Sequence, residues 1–295
     1  MKEHKIDLHF HSHYSEGALS VDQLLKQAYK FGFNVLSLTD HNVIAGVPEL
    51  LKKAPKYDIK AISGVEIYTR YQNIALHLLG YNFDHTNSKL LEIIHELQAD
   101  NENKMKISIN NLKAEGFIIN EKRLFDSPSH NFGAVHILAE MEKEEKNIKK
   151  IKRDLPTQYD NFFVKINEYF GDGKPGKFTI SEIPTDEAIK LIDIAGGFSS
   201  LAHPGQQLSF KYDNIIIELK NHGLRAIEVL SPYHNWHQIE HYQEIALNHK
   251  LLMTGGSDYH GDINFSKNEL LDRQWNYFHV PYTFYEELKN KIPSL

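Results

Sequence analysis

Apolar and polar side chains alternate through Ile6-Asp7-Leu8-His9-Phe10. That is the period of a strand. Similar short apolar runs return along the chain and predict strands over 5–10, 35–39, 60–65, 74–81, 198–202, 225–230, 251–254 and 275–280. Helix-period segments lie between many of them. Ser20 with Gln23 three residues on reads as a capping box, Val21, Leu24, Leu25 and Ala28 form one face, and Gly32 supplies the stop. Further helices are predicted over 49–53, 213–222, 236–248 and 284–291, and Thr185 reads as the cap of one ending at Ile194.

Residues 86–180 break this rhythm. They hold helix-period runs over 89–115, 134–143 and 159–170, and a glycine-rich loop over 171–176. The Lys-dense stretch 146–153 reads as a solvated helix face balanced by Glu142, Glu144 and Glu145. The division this predicts is a barrel from 1–85 and 181–295, with 86–180 as a helical insertion or cap. Strand–helix repetition with a functional residue at strand C-terminal ends is the layout of a βα-barrel. The expected class is α/β, a distorted barrel of about seven strands. An open doubly wound sheet would gather ligands from only one or two strand ends.

Composition narrows the function. The 295 residues are 41% hydrophobic, enough for one large core or one domain with a sizeable insertion. A net charge of -6 argues against long nucleic acid held by charge alone, while a small anionic substrate in a local positive site fits. The absence of Cys excludes disulfides, zinc–thiolate sites and Cys nucleophiles. Neither a signal-like leader nor a membrane-length apolar run is present, so a cytoplasmic location without membrane contact is expected. No obligate protein partner is indicated.

The 18 His matter more by placement than by number. His9 and His11 lie two apart on a strand and project together, half of a metal site. Asp40, His41, Glu66, His77, His203, Asp258 and His260 stand at or near further strands. With nitrogen and oxygen donors and no sulfur, Mn²⁺, Zn²⁺ or Fe²⁺ fit better than Ca²⁺. One ion takes about four to six ligands, so this set predicts two or three, with a carboxylate such as Glu66 as a bridge. Water activated by such a cluster attacks a phosphorus or carbonyl centre.

The motifs Asp7-Leu8-His9-Phe10-His11-Ser12, Thr39-Asp40-His41, Gly64-Val65-Glu66, His77-Leu78-Leu79-Gly80-Tyr81, Ala202-His203-Pro204-Gly205 and Gly255-Gly256-Ser257-Asp258-Tyr259-His260-Gly261 span nearly the whole chain. In that order they resemble the polymerase-and-histidinol-phosphatase (PHP) superfamily of metal-dependent phosphoesterases. The resemblance implies a distorted (β/α)₇ barrel and a three-metal site. His9, His11, Glu66 and Asp258 would hold one ion. Glu66 would bridge to a second held by His77 and His203. His41 and His260 would hold the third with Glu16, where the family usually has Asp. Asp40 is expected to orient a ligand His or to accept a proton, with a turn-capping role as the competing reading. The catalytic pair is thus Asp40 and Glu66.

The helical insertion resembles the branch acting on nucleotide phosphates and short RNA 5′ ends, namely 3′,5′-bisphosphate nucleotide phosphatases and 5′-to-3′ exoribonucleases. That branch usually carries Arg-Pro-His where this chain has Ala134-Val135-His136, and a basic residue where it has Asp172. His136, Arg70 and Lys174 are the candidate substrate contacts. A solvated surface is the competing reading for Arg70 and Lys174. Glu228 lies within a strand, with Pro232 and His234 after it, and reads as readily as barrel-rim packing or support for the site as it does as a catalytic group. The expected activity is metal-dependent hydrolysis of nucleotide or short oligonucleotide phosphate esters. The alternatives are a histidinol-phosphate-type phosphatase and a metal-binding module without turnover.

Overall fold

The computed structural model describes residues 4–159, 161–261, 274–292 and 294–295. Nine strands are defined among them: β1 (Lys5–Phe10), β2 (Phe33–Leu38), β3 (Lys60–Tyr71), β4 (Ile74–Tyr81), β5 (Ile183–Pro184), β6 (Phe198–Leu201), β7 (Ala226–Leu230), β8 (Leu252–Gly255) and β9 (Val280–Pro281). The helices are α1 (Val21–Phe31), α2 (Val47–Lys53), α3 (Ser88–Ala114), α4 (Glu121–Phe125), α5 (Ala134–Met141), α6 (Glu145–Asp154), α7 (Phe162–Phe170), α8 (Thr185–Ile194), α9 (Pro204–Gln207), α10 (Asp213–Asn221), α11 (Trp236–His249) and α12 (Tyr282–Lys291). Among the described residues, no helix is long and apolar enough to cross a membrane.

The sheet runs β8-β7-β6-β4-β3-β2-β1-β9, with β5 added beside β3. The sheet curls until β1 meets the segment that follows β8. There the Asp258 N–H donates to the His9 carbonyl at 2.7 Å and the His11 N–H to the Tyr259 carbonyl at 2.8 Å. The expected α/β barrel is present, and its distortion has a specific origin. β3 and β4 form an antiparallel hairpin with no helix between them, and β4 also runs against β6. β3 does not stop near Glu66 but continues to Tyr71, because its second half pairs with β4. Glu66 and His77 therefore reach the site from within strands, not from strand ends.

Local chemistry explains several boundaries. The Ser20–Gln23 capping box is formed and Gly32 closes α1 in the left-handed region. Thr185 is the first residue of α8 and not its cap. Its hydroxyl donates to the Thr69 Oγ1 at 2.9 Å, which ties α8 to β3. The expected strand over 275–280 is a 3₁₀ turn (Gln274–Asn276) followed by the two residues of β9. Trp275 is spent on burial, with its indole N–H donating to Asp7 at 2.6 Å. Pro281 limits the ladder with β1.

The core has several parts. One cluster lies between β3, β4 and helices α3, α8, α10 and α11, and another joins β1, β2, β4, β6 and α12. The helices over 105–170 have a cluster of their own, built on Met105, Ile109, Leu112, Leu138, Ile151 and Phe170. α3 is shared: Leu90, Ile94 and Leu97 belong to the barrel cluster, Met105 onward to the helical one. Asn101, buried at the junction, donates to Asn131 at 2.9 Å and accepts from the Ser181 N–H at 3.3 Å.

The seam between β1 and β8 leaves no space at Gly256, where a Cβ would meet the His9 backbone. Replacing it by Ala forces the two strands apart, and overpacking of this kind costs about 1–3 kcal/mol. Gly256→Ala is expected to lower the urea midpoint accordingly. An unchanged midpoint would mean that the seam yields freely.

Candidate metal centre

Seven of the side chains singled out from sequence meet at the barrel mouth around Glu66, which is fully buried. Its Oε2 lies 3.1 Å from His9 Nε2, 3.3 Å from His11 Nε2 and 3.0 Å from His41 Nδ1. Its Oε1 lies 2.8 Å from His77 Nδ1 and 3.3 Å from His203 Nε2. Asp258 Oδ1 adds contacts to His11 Nε2 at 2.8 Å and His9 Nε2 at 3.3 Å. His260 stacks on His11 at 4.1 Å and stands 3.7 Å from Asp258.

Three groups of donors lie close enough to share an ion: His9, His11, Glu66 and Asp258; His41, Glu66 and His77; and His11, His41 and His260, each with its ligand atoms within 4.8 Å of one another. The set is nitrogen and oxygen only, which suits first-row divalent ions. One buried nitrogen speaks to the same fit: among the described residues His41 Nδ1 has no partner in hydrogen-bond geometry despite its nearness to Glu66.

The electrostatics are those of a compressed charge lattice. Burial opposes charge on Glu66, but His41, His9 and His77 outweigh it and hold the carboxyl well below its usual range. Asp258 is held low in the same way, against burial, by His9 and His260. Burial also opposes the proton on His9 and His41, yet the carboxylates around them win. Glu228, Glu66 and Asp258 raise His9 well above the ordinary imidazole value, and Glu66 leads in raising His41 to about 9. His11 goes the other way, lowered to about 4 by burial and by His260 and His41.

The remaining candidates fall in different places. Asp40 accepts from the Ser12 N–H at 2.7 Å, the Ser12 hydroxyl at 2.7 Å and the Ser15 hydroxyl at 2.6 Å, so its hydrogen bonds go to the 12–15 turn and not to a histidine. Burial raises its pKa to about 6 against these donors. Glu16 lines the cleft beside His260, outside the three donor groups, and packs so closely on Gly133 that a Cβ there has no room. His136 also lines the cleft. Its Nδ1 accepts from the Gly133 N–H at 2.9 Å and its Nε2 donates to the Ser15 carbonyl at 3.0 Å, bracing α5 against the same turn. Arg70 is paired with Glu182, and Lys174 with Glu168 at 2.8 Å; both stand outside the residues that line the cleft.

Some contributors carry no motif. Tyr68 stacks on His41 at 4.4 Å, and Tyr233 stands edge-on to His203 at 5.5 Å. Gln207 accepts from the His77 N–H at 2.7 Å and donates to His203 Nδ1 at 2.6 Å. His234 accepts from the Gly205 N–H at 2.9 Å and donates from Nδ1 to the Val229 carbonyl at 2.9 Å, fastening the turn after His203. The nearest sequence signal for Gln207 is its place four residues after His203. The cleft over the cluster, about 1160 Å³, is walled on the helical side by Leu138, Phe162, Ile166, Phe170 and Phe178.

The PHP domain family model matches residues 7–173. A 5′-3′ exoribonuclease of Haemophilus influenzae is 31% identical over 280 residues, covering 91% of this chain and 96% of that protein. A 3′,5′-nucleoside bisphosphate phosphatase of Chromobacterium violaceum is 27% identical over 263 residues, covering 86% of this chain and 87% of that one. Among solved structures, one from Bifidobacterium adolescentis, described as a metal-dependent phosphoesterase, shares the fold with a TM-score of 0.76 at 22% identity, over 99% of this chain and 97% of that one. His203, Asp258 and His260 lie beyond the stretch that the family model matches, and the barrel returns them to the motifs within it. The chain belongs to the PHP domain family.

Proposed function

We propose that the protein is a metal-dependent phosphohydrolase acting on phosphate esters of nucleotides or short oligonucleotides. It would hold two to three divalent ions of the Mn²⁺, Zn²⁺ or Fe²⁺ kind. The observation that carries this reading is the double-sided surround of Glu66: three imidazole nitrogens face one carboxylate oxygen and two face the other. That is the shape of a carboxylate shared between ions. His9, His11 and Asp258 would complete one side, His77 and His203 the other, and His41 and His260 a third position flanked by Glu16. Bound divalent ions supply Lewis-acid stabilisation of a phosphoryl group and lower the pKa of water.

The chain's own part is positioning. Glu66 and Asp258 keep their negative charge in a buried setting, so the site draws in cations and leaves a positive face for a phosphate. Residues 86–180 act as a cap whose apolar wall suits a nucleobase or sugar, while the scissile phosphate faces the cluster. His136 contributes to substrate binding through the turn it braces. The named activities of the two relatives above support this substrate class.

Loss of the shared carboxylate should remove most of the activity. Glu66→Gln is expected to lower phosphate release from adenosine 3′,5′-bisphosphate and from a 5′-phosphorylated short RNA by about 1000-fold, several kcal/mol of transition-state stabilisation. Circular dichroism would show the fold retained. Near-wild-type turnover would sink the reading.

A second expectation concerns pH. His41 is raised from 6.5 to about 9, so its pairing with Glu66 stabilises the metal-free fold fully below pH 6.5 and is lost as pH rises through about 9. The metal-free protein should therefore lose thermal stability across that window. With Zn²⁺ or Mn²⁺ present the slope should reverse, because protons compete with the cation for the same nitrogens. Thermal midpoints with and without the ion test this; parallel slopes would count against metal ligation by His41.

A further inference from the structure

Glu228 lies on β7, fully buried, close behind the metal cluster. Its carboxylate makes two kinds of contact. Oε1 lies 3.0 Å and Oε2 3.3 Å from His9 Nδ1, and Oε2 also accepts from the His203 backbone N–H at 2.7 Å. No Lys or Arg pairs with it among the described residues. An uncompensated buried carboxylate costs several kcal/mol, so its partners matter.

The first contact bears on the tautomer of His9. A carboxylate against Nδ1 keeps a proton there, so Nε2, which faces Glu66 and Asp258, is the nitrogen that gives up its proton when a cation binds. The second contact bears on backbone shape. His203 sits at φ 21° and ψ 58°, a conformation that a non-glycine residue adopts only when its surroundings hold it. The two rings stack at 5.5 Å, and their Nε2 atoms approach opposite oxygens of Glu66.

We propose that Glu228 is a positioning residue of the metal centre: one buried carboxylate fixes His9 as its Nδ1–H tautomer and pins the backbone of His203. It thereby aligns one histidine on each side of the Glu66 bridge. This rests on the metal-binding part of the function proposed above and not on the identity of the substrate. Gln is a poor substitute: with its oxygen in the Oε2 position it keeps the His203 N–H but reaches His9 Nδ1 only at 3.3 Å, and its NH₂ then stands where Oε1 met Nδ1 at 3.0 Å.

The test uses the full chain, labelled with ¹⁵N-histidine and loaded with Zn²⁺. The His9 signals are assigned by their loss in His9→Asn. In the wild type, the expected result is a proton on Nδ1 of His9 and a metal-shifted Nε2. Glu228→Gln should lose the Nδ1–H signal and weaken Zn²⁺ binding by about 10–100-fold in a chelator competition. A protonated Nε2 on His9 in the loaded wild type overturns the proposal whether or not the variant folds. So does a folded Glu228→Gln protein with unchanged affinity for every ion. A wild type that takes up no Zn²⁺ overturns this inference together with the proposed function. One that binds Zn²⁺ with the expected His9 signals but hydrolyses no phosphate ester sinks only the function.

Discussion

The structure is organised around buried negative charge that water cannot reach. Glu66, Glu228 and Asp258 are nearly or fully inaccessible, and Glu66 sits at the centre of five imidazoles. In a low-dielectric interior such carboxylates are tolerable only beside positive charge and hydrogen-bond donors. The fold meets that demand by closing the barrel. Joining β1 to β8 sets His9 and His11 against Asp258, and the β3–β4 hairpin sets Glu66 against His77. Protons on imidazole or divalent cations could each supply that positive charge, and competition between them would couple this site to pH.

Two further carboxylates, Asp7 and Asp40, show how the frame around the cluster is fixed. Asp7 accepts from the His9 and Ser257 N–H groups, from the Ser257 hydroxyl and from the Trp275 indole. Asp40 gathers Ser12 and Ser15. Both are raised to about 6 by burial against the pull of these donors. Asp7 ties the loop after β8 to β1, and Asp40 shapes the turn that carries Glu16. Serine recurs at these anchors because a short hydroxyl side chain and its own N–H can serve one carboxylate together.

Much of the site was legible because ligand chemistry leaves period-two marks. His9 and His11 had to share a face once the 5–10 run was read as a strand. The boundaries of α1 followed from its capping box and Gly32, whereas Thr185, expected as the cap of α8, is its first residue. Other features left no local trace. Alternation is the same whichever way a strand runs, so the reversal of β4 and the unbroken length of β3 could not be read from it. Nor does an Asp after an apolar run announce its partner. Asp40 and Asp258 follow similar strands, yet one serves a turn and the other the histidines. Arg70 and Lys174 carried plausible charge, but Arg70 is taken up by Glu182, brought to it by the fold, and Lys174 by Glu168 of the helix just before it.

The helical stretch is joined to the barrel by more than its ends. α3 has 27 residues, about 40 Å of continuous helix. Its first turns pack in the barrel core and its last in the helical one. At the crossing, Asn42, Gln98, Asn101, Asn131 and Ser181 form a hydrogen-bonded belt joining the turn after β2, α3, the segment before α5 and the segment leading into β5. A single helix spanning both cores, stitched by buried amides, opposes independent rotation of the two parts more strongly than a flexible linker would. The width of the cleft between Phe170 and His260 is then set by the same packing that holds the barrel together. A substrate bound as proposed would meet a wall whose position is inherited from the fold. On the proposed function, selectivity would rest on α5 and α7, which line the cleft, as much as on the side chains of the candidate metal centre beneath them.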